Sequence, residues 1–438
     1  MRGWLRVGVL PAMWFGACMA SGVATAQSDT GGRVARGVVA VQPFTLDQAW
    51  KRAESSSAAI QAVAANAAAV EGQLADARAF LWNNPQLNSE FIHRRVPQPE
   101  ASVEWQQEWG VGISQTFETG GQQQHRRAAA SADSDAQQLA LTETRRGVRG
   151  EVEQRFVGVL SLQARLAAEE QARVLLDDAA RLVEKRVAAG EDTRLDGNLA
   201  AVEATRQRNQ VATLREQLLE AQGELAKLLQ LPPDVLPEAI GSLDPRSPNY
   251  TLDELLALAS ARPQLETLRA RERAASSRLD LERASVSPDV TVGIGVGREG
   301  ANNLRENLVG LTISVPLPLF RQNKTGIGKA TTELAQARTE RQATERDIPA
   351  QIRLQWQRVE SLRERVRRLE SAVIAPLDMN RQLSSKAFGA GEIGLLQLVL
   401  VNRQMLEGQR DLLAARTELR LAAIALESAA GWLPAELR

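Results

Sequence analysis

The chain has 438 residues with 53 basic and 53 acidic side chains, so it carries no formal net charge and lacks the basic excess that electrostatic nucleic-acid binding needs. One cysteine and two histidines exclude an intramolecular disulfide or thiolate cluster and leave little for a zinc site or a catalytic triad. Hydrophobics at 44% with aromatics at only 4% fit long Ala-, Leu-, Arg-, Glu- and Gln-rich helices better than a disordered chain or a ring-packed core.

Residues 1–26 read as an export signal. Arg2 and Arg6 precede an apolar stretch from Val7 to Ala20, and Ala24-Thr25-Ala26 supplies a small-x-small cleavage pattern. A second export reading stays open, because Phe15-Gly16-Ala17-Cys18 loosely resembles a lipoprotein box with Cys18 as the lipidated residue. Cleavage after Ala26 would leave the mature chain without cysteine. Residues 27–43 follow as an N-terminal linker. Beyond the signal no run of 18 apolar residues occurs, so no transmembrane helix is expected.

The rest of the chain reads as a duplication, 44–230 and 250–438. Phe44-Thr45-Leu46-Asp47 opens one segment and Tyr250-Thr251-Leu252-Asp253 the other, 206 residues apart. Lys185, Gly190, Glu191, Leu195 and Leu199 match Lys386, Gly391, Glu392, Leu396 and Leu400 at an offset of 201. Two anchors in the same order at nearly the same offset indicate two copies of one supersecondary unit. Residues 231–249, with five prolines, form the linker between them. In the first unit a helix is expected over about 45–82, strands over about 86–95 and 107–118, a long helix over about 122–189 and a returning helix over about 193–230. In the second, the helix covers about 252–285, the strands about 289–298 and 306–317, and the last two helices about 325–388 and 393–429. Ile352, Val359, Val366 and Val373 lie seven apart, as do Leu398, Met405, Leu412, Leu419 and Leu426, which marks coiled-coil seams. A helix of about 65 residues spans roughly 100 Å. The shorter helices of each unit would lie antiparallel beside the long one, with Gly190 and Gly391 at one extremity and the strands near the other. Pro349 and the Gly147–Gly150 stretch mark matching places for a bend.

The strands carry the functional signal. Val290, Val292, Ile294 and Val296 alternate with Thr291, Gly293, Gly295 and Gly297, and Val309, Leu311 and Ile313 alternate with Gly310, Thr312 and Ser314. Trp109, Val111 and Ile113 alternate with Gly110, Gly112 and Ser114 in the same way. One face is apolar and the other small or polar, over about ten residues, the length of a tilted membrane-spanning strand. A half-buried strand on a soluble core would show a similar alternation. The small hydrophilic face and the aromatics Trp105, Trp109 and Phe117 near the strand ends favour the membrane. On this reading Trp109, Val111, Ile113, Val292, Ile294, Val309, Leu311 and Ile313 face lipid. Four strands cannot close a barrel, and an open edge cannot sit in lipid. Several copies must therefore pool their strands: two would give eight strands, and three would give twelve with room for a pore. Glycine on the inward face favours the roomier option.

The whole chain after the signal resembles the TolC family of outer-membrane efflux channels. The resemblance rests on the paired Thr-Leu-Asp openings and the paired Gly-Glu-x-x-x-Leu-x-x-x-Leu turns. Ser314-Val-Pro-Leu-Pro-Leu-Phe320, followed by Asn323 and Gly326, resembles the subgroup of cobalt–zinc–cadmium resistance components, the CzcC-like proteins. The resemblance implies a mainly α protein with a membrane β-barrel, built from two repeats of helix, β-hairpin, long helix and helix. It further implies a homotrimer whose twelve-stranded barrel continues into an α-helical periplasmic barrel. The implied role is the outer-membrane channel of a tripartite efflux system in a Gram-negative bacterium. The implied partners are a periplasmic adaptor and an inner-membrane pump of the resistance-nodulation-division type; the implied cargo is divalent heavy-metal cations, and nothing is catalysed. A general multidrug or type I secretion channel is the alternative. A periplasmic adaptor is the alternative of another class, but it would carry one hairpin flanked by split β-domains.

By the same resemblance, Lys185, Arg186, Gly190, Glu191, Asp192, Lys386, Gly391 and Glu392 form the periplasmic tip that meets the adaptor. Some relatives gate the pore with carboxylates just after the second turn, where this chain has Gln397 and Leu400. That leaves Asp196, at the equivalent place in the first repeat, as the candidate gate acid. Gly293-x-Gly295-x-Gly297 lies inside a strand and is no dinucleotide fingerprint. His93 and His125 read as surface histidines, and Arg363 to Arg368, interrupted by Glu364, as a solvated helix face. No cofactor is expected.

Overall fold

A computed structural model describes residues 40–96, 104–244, 250–300 and 305–431. The signal over 1–26, Cys18 within it, and most of the 27–43 linker lie outside the described residues.

The fold begins with a pairing the sequence reading did not contain. Strand β1, Ala40–Thr45, runs parallel to β4, Val235–Ile240, with Gln42 opposite Pro237 and Pro43 opposite Glu238. The 231–249 segment, whose prolines suggest a bare linker, thus holds a strand. In a two-stranded sheet both strands are edges, so a proline with no N–H can face away from the ladder.

Thr45 and Thr251 are N-caps. Each accepts from the backbone N–H three residues on, and Gln48 and Glu254 bond back to the cap residue's N–H. Helix α1, Leu46–Ser56, stops at Ser57, whose backbone is extended, and α2 continues over Ala58–Arg78. Later, α5, Leu252–Ala259, gives way to α6, Pro263–Ala284, because Arg262 precedes a proline and is pushed to the extended region (ψ 135°). The single helices expected over 45–82 and 252–285 are therefore each two.

Strands β2 (Gln86–Val96), β3 (Glu104–Phe117), β5 (Val290–Glu299) and β6 (Glu306–Ser314) form one antiparallel sheet in the order β2-β3-β5-β6. Among the described residues, its two outer strands have free edges.

Helix α3, Gln122–Ala188, has 67 residues and so a length of about 100 Å. After the turn at Gly190, α4 returns over Arg194–Leu228. In the second half, α7 spans Lys324–Arg368, a π-helical turn covers Leu369–Ile374, α8 runs over Ala375–Gly389 and α9 over Leu395–Ala430. Helix geometry continues through both expected bend points, Gly147–Gly150 and Pro349. The departure from α geometry lies instead just before Pro376.

Helix α3 packs on α2, α4, α6 and α9, and α7 packs on α6 and α9. One core cluster gathers Trp50, Val152, Phe156, Leu225 and Leu229, and another gathers Leu255, Ile352, Val359, Leu419 and Leu426. Polar contacts cross the α3–α9 interface at eight-residue steps along α3. Arg420 donates to Glu153 at 2.8 Å, Ser161 and Thr417 share a bond at 2.7 Å, and Arg410 donates to Glu169 at 2.5 Å. A slip of the two helices would leave these buried groups unpaired, which is strongly destabilising. The ladder therefore fixes how the two halves sit against each other.

Candidate functional site

Side chains opposite one another in a sheet share a face. The register puts Leu87, Ile113, Ile294 and Leu311 in one row, and Ser89, Val111, Val296 and Val309 in the next. Phe91 pairs with Trp109, and Val292 pairs with Ile313. All eight residues singled out from the alternation thus fall on one face. It is open to the outside of the chain: Val309 is 77% exposed, Leu311 70% and Ile313 65%. An exposed apolar patch of this extent marks a surface that meets lipid or another protein.

The reverse face carries Asn88, Gly112, Gly295 and Gly310 in one row and Ser114, Gly293 and Thr312 in another. Asn88 donates to Ser114 at 3.1 Å, and Thr116 and Thr291 share a bond at 2.8 Å. Glycine is required at 297, where a Cβ would stand 2.9 Å from the Trp109 carbonyl oxygen. Trp105 and Trp109 lie towards one end of the sheet and Phe117 at the other. His93 stacks on Trp105 with ring centroids 4.7 Å apart.

The loop after β6 is built around Asn323. Its backbone is left-handed (φ 50°), and its side-chain amide donates to the Glu282 carbonyl at 2.9 Å and to Glu282 Oε2 at 2.5 Å. A Cβ at Gly326 would come within 2.1 Å of that carboxylate. Asn323 thus caps the start of α7 and ties it to the end of α6, and a side chain at Gly326, in the first turn of α7, would have to displace the Glu282 carboxylate and the Asn323 amide.

At the far end of the long helices the two turns share one geometry. Gly190 (φ 79°) donates to the Val187 carbonyl and Glu191 to that of Arg186; Gly391 (φ 76°) donates to Phe388 and Glu392 to Ala387. Both are Schellman caps, which need glycine at the left-handed position. Arg186 pairs with Asp192 at 3.1 Å and with Glu191 at 3.6 Å. Lys185, Glu191, Lys386 and Glu392 are exposed.

Asp196 is engaged in capping. It accepts from the Thr193 hydroxyl at 2.6 Å and from the Thr193 N–H at 3.2 Å. Gln397 sits at the same place in α9 and accepts from the Gly394 N–H at 3.2 Å. The two residues are structural counterparts at the start of the returning helices, each bonding back to its cap residue.

Three features were not anticipated from the sequence, two of them because their residues come from separate helices. A groove of about 370 Å³ lies over α3 between α4 and α9, with Arg206, Gln207, Arg381, Arg403 and Arg410 in its lining. Next to it Glu169 is almost wholly buried and joins three helices, accepting from Arg410 and from Gln207 at 2.6 Å. Burial pushes its pKa up, but the hydrogen bonds from Arg410 and Gln207 outweigh that and hold it below the usual carboxylate value. The third feature is the π turn.

Among the described residues no group of three or more His, Cys, Asp and Glu side chains could hold a metal ion. No described helix is long and apolar enough to cross a membrane.

The family model described as outer membrane efflux protein matches residues 49–230 and 256–432. The cobalt-zinc-cadmium resistance protein CzcC of Cupriavidus metallidurans is 25% identical over 396 residues, 90% of each chain. The nickel and cobalt resistance protein CnrC of the same organism is 26% identical over 305 residues, 65% of this chain and 66% of that one. Among solved structures, the outer membrane protein VceC of Vibrio cholerae superposes with a TM-score of 0.72 at 17% identity, covering 88% of this chain and 96% of that one.

Proposed function

The chain belongs to the outer membrane efflux protein family, and we propose that it is the exit duct for divalent transition-metal cations in a tripartite efflux system. As a member of that family it is an outer-membrane channel that reaches into the periplasm and works with an adaptor and an inner-membrane pump. The observation that carries the reading is the sheet register: one apolar exposed face, one small polar face and two free edges on a stem about 100 Å long.

Three copies joining edge β6 to edge β2 would make a twelve-stranded barrel, with the apolar face to lipid and the glycine-rich face to water. Each chain would contribute its two helix–hairpin–helix units as an internal duplication. The helices would continue the barrel as a periplasmic tunnel. The tip residues Lys185, Arg186, Gly190, Glu191, Asp192, Lys386, Gly391 and Glu392 would meet the adaptor, and the pump would be of the resistance-nodulation-division type. Export would begin with the N-terminal signal, followed by cleavage after Ala26 or lipidation of Cys18.

The metal cargo rests on the likeness to CzcC and CnrC and on the loop through Asn323 and Gly326. A duct needs no resident metal site, since the pump selects and the lumen only conducts. The test is growth of a strain lacking the chain against Zn²⁺, Co²⁺ and Cd²⁺ beside dyes, detergents and antibiotics. Selective sensitivity to the metals is expected. Sensitivity to organic compounds with unchanged metal tolerance would replace the metal reading with a general multidrug or secretion channel.

A further inference from the structure

The two halves differ where α3 stays regular to its end but α7 passes into the π turn. The apolar seam of α7 runs through Leu362 and Leu369 at seven-residue spacing, so an unbroken helix would bring Pro376 and then Leu383 onto it. The structure does otherwise. Leu377 is on the seam, Ser384 is buried at 8% exposure, and Leu383 and Met379 stand out at 57% and 59%. A π turn holds one extra residue, and one residue turns a helix by about 100°. The turn thus moves Pro376 off the seam and rotates all of α8. Helix α9 is shaped to receive it: a Cβ at Gly408 would meet Leu377 Cδ1 at 2.9 Å and Ile374 Cδ1 at 3.3 Å.

The rotation has a cost, since a serine is buried where a leucine was available and two large apolar side chains are left outside. A matching stripe exists on α4, where Leu195, Leu199 and Val202 are 65%, 46% and 51% exposed. Helix α4 packs on α3 and β4, and α8 packs on α9 and the π turn, so these helices flank the layer on opposite sides. Leu199 and Val202 lie 9 and 12 residues after Gly190, while Leu383 and Met379 lie 8 and 12 residues before Gly391. At 1.5 Å per residue the two stripes stand at the same height above the tip, to within about 2 Å. They belong to the same chain, but α4 and α8 do not pack on one another within it, so a second copy is what can bring the two stripes together.

We propose that the π turn Leu369–Ile374 sets the register of α8 so that Met379 and Leu383 form an apolar seam with Leu199 and Val202 of a second copy. The contact is head-to-tail, as a closed ring requires, and it joins neighbouring copies just above the tip. It rests on the multi-copy channel reading.

The test uses the full-length protein in outer-membrane fractions. A Leu199→Cys/Leu383→Cys variant, mildly oxidised, is expected to give linked dimers and trimers that reductant collapses. Neither single variant should give them, which also controls for Cys18. A Leu199→Cys/Ser384→Cys variant is expected to link at least tenfold less, because Ser384 faces its own α9. Equal or stronger linking through 384, or no linking in either pair, overturns the proposal. Light scattering in detergent separates the two levels: a multi-chain mass without the 383 link sinks this seam alone, whereas a single-chain mass sinks the multi-copy reading with it.

Discussion

Arg410→Met removes the charge that faces Glu169 while keeping a long side chain on α9. Glu169 is 1% exposed and would keep one side-chain hydrogen bond, from the Gln207 amide, and the attraction of Arg165. Breaking a buried ion pair from one side costs about 3–5 kcal/mol, because the remaining charge stays desolvated. The Arg410 side chain is 36% exposed, so water partly screens the pair and about 3 kcal/mol is the better expectation. At roughly 2 °C per kcal/mol for a long chain, the thermal midpoint falls by about 6 °C. Adding Glu169→Gln makes the site neutral and hydrogen-bonded, so the double variant should regain more than half of the loss. The pH dependences are opposite in sign. In the parent, Glu169 lies below its unfolded value, so its contribution is full above the usual carboxylate range and is lost as pH falls through the folded pKa. In Arg410→Met burial, the largest influence, pushes that pKa up against only the Gln207 hydrogen bond and the Arg165 charge, so the deficit is expected to shrink on going from pH 7.5 to pH 5. Circular dichroism melts at 222 nm in detergent read both effects. A single variant as stable as the parent, or a double variant no better than the single, would refute this electrostatic reasoning.

Other substitutions probe the sheet, the turns and the tip. Ile294→Arg, on the apolar face, should cost about 2–4 kcal/mol if it sits near the bilayer centre and should cut the amount of protein assembled in the outer membrane, whereas Thr312→Arg on the reverse face should assemble normally; immunoblots of membrane fractions compare them. Gly190→Val forces a β-branched residue to φ 79° and should destabilise the turn by at least about 1–2 kcal/mol, seen as proteolytic nicking near residue 190 with the sheet intact. Charge reversal at the tip, Arg186→Glu with Lys386→Glu, should leave assembly unchanged but reduce cross-linking to the adaptor and metal tolerance together.

Much of this fold can be read from local pattern. The strand spans differ from expectation by a few residues because period-two alternation from Val290 to Val296 and from Val309 to Ile313 admits only one placement. The turns at Gly190 and Gly391 were visible because a left-handed cap favours glycine. The pairing of β1 with β4 was hidden because Pro43 and Pro237 resemble linker residues, and only the partner strand reveals a ladder that tolerates them. The breaks at Ser57 and Arg262 lie inside sequences that are otherwise good helix. For Arg262 the following proline was the available signal. The π turn also had a signal, since Pro376 falls on the seven-residue seam and cannot remain there. Glu169, Gln207 and Arg410 are separated by as many as 241 residues. Only the packing of α3, α4 and α9 brings them together, and nothing local announces it.

Leu311 and Thr312 are adjacent in β6 and belong to opposite faces of the sheet. A fluorescent label at each position, read in brominated-lipid vesicles and against aqueous iodide, tests the membrane channel most directly. The label at 311 should be quenched by lipid and spared by iodide, and the label at 312 should show the reverse. Equal quenching of both by iodide, with none by lipid, would mean that the sheet does not lie in the membrane and that the channel reading is wrong.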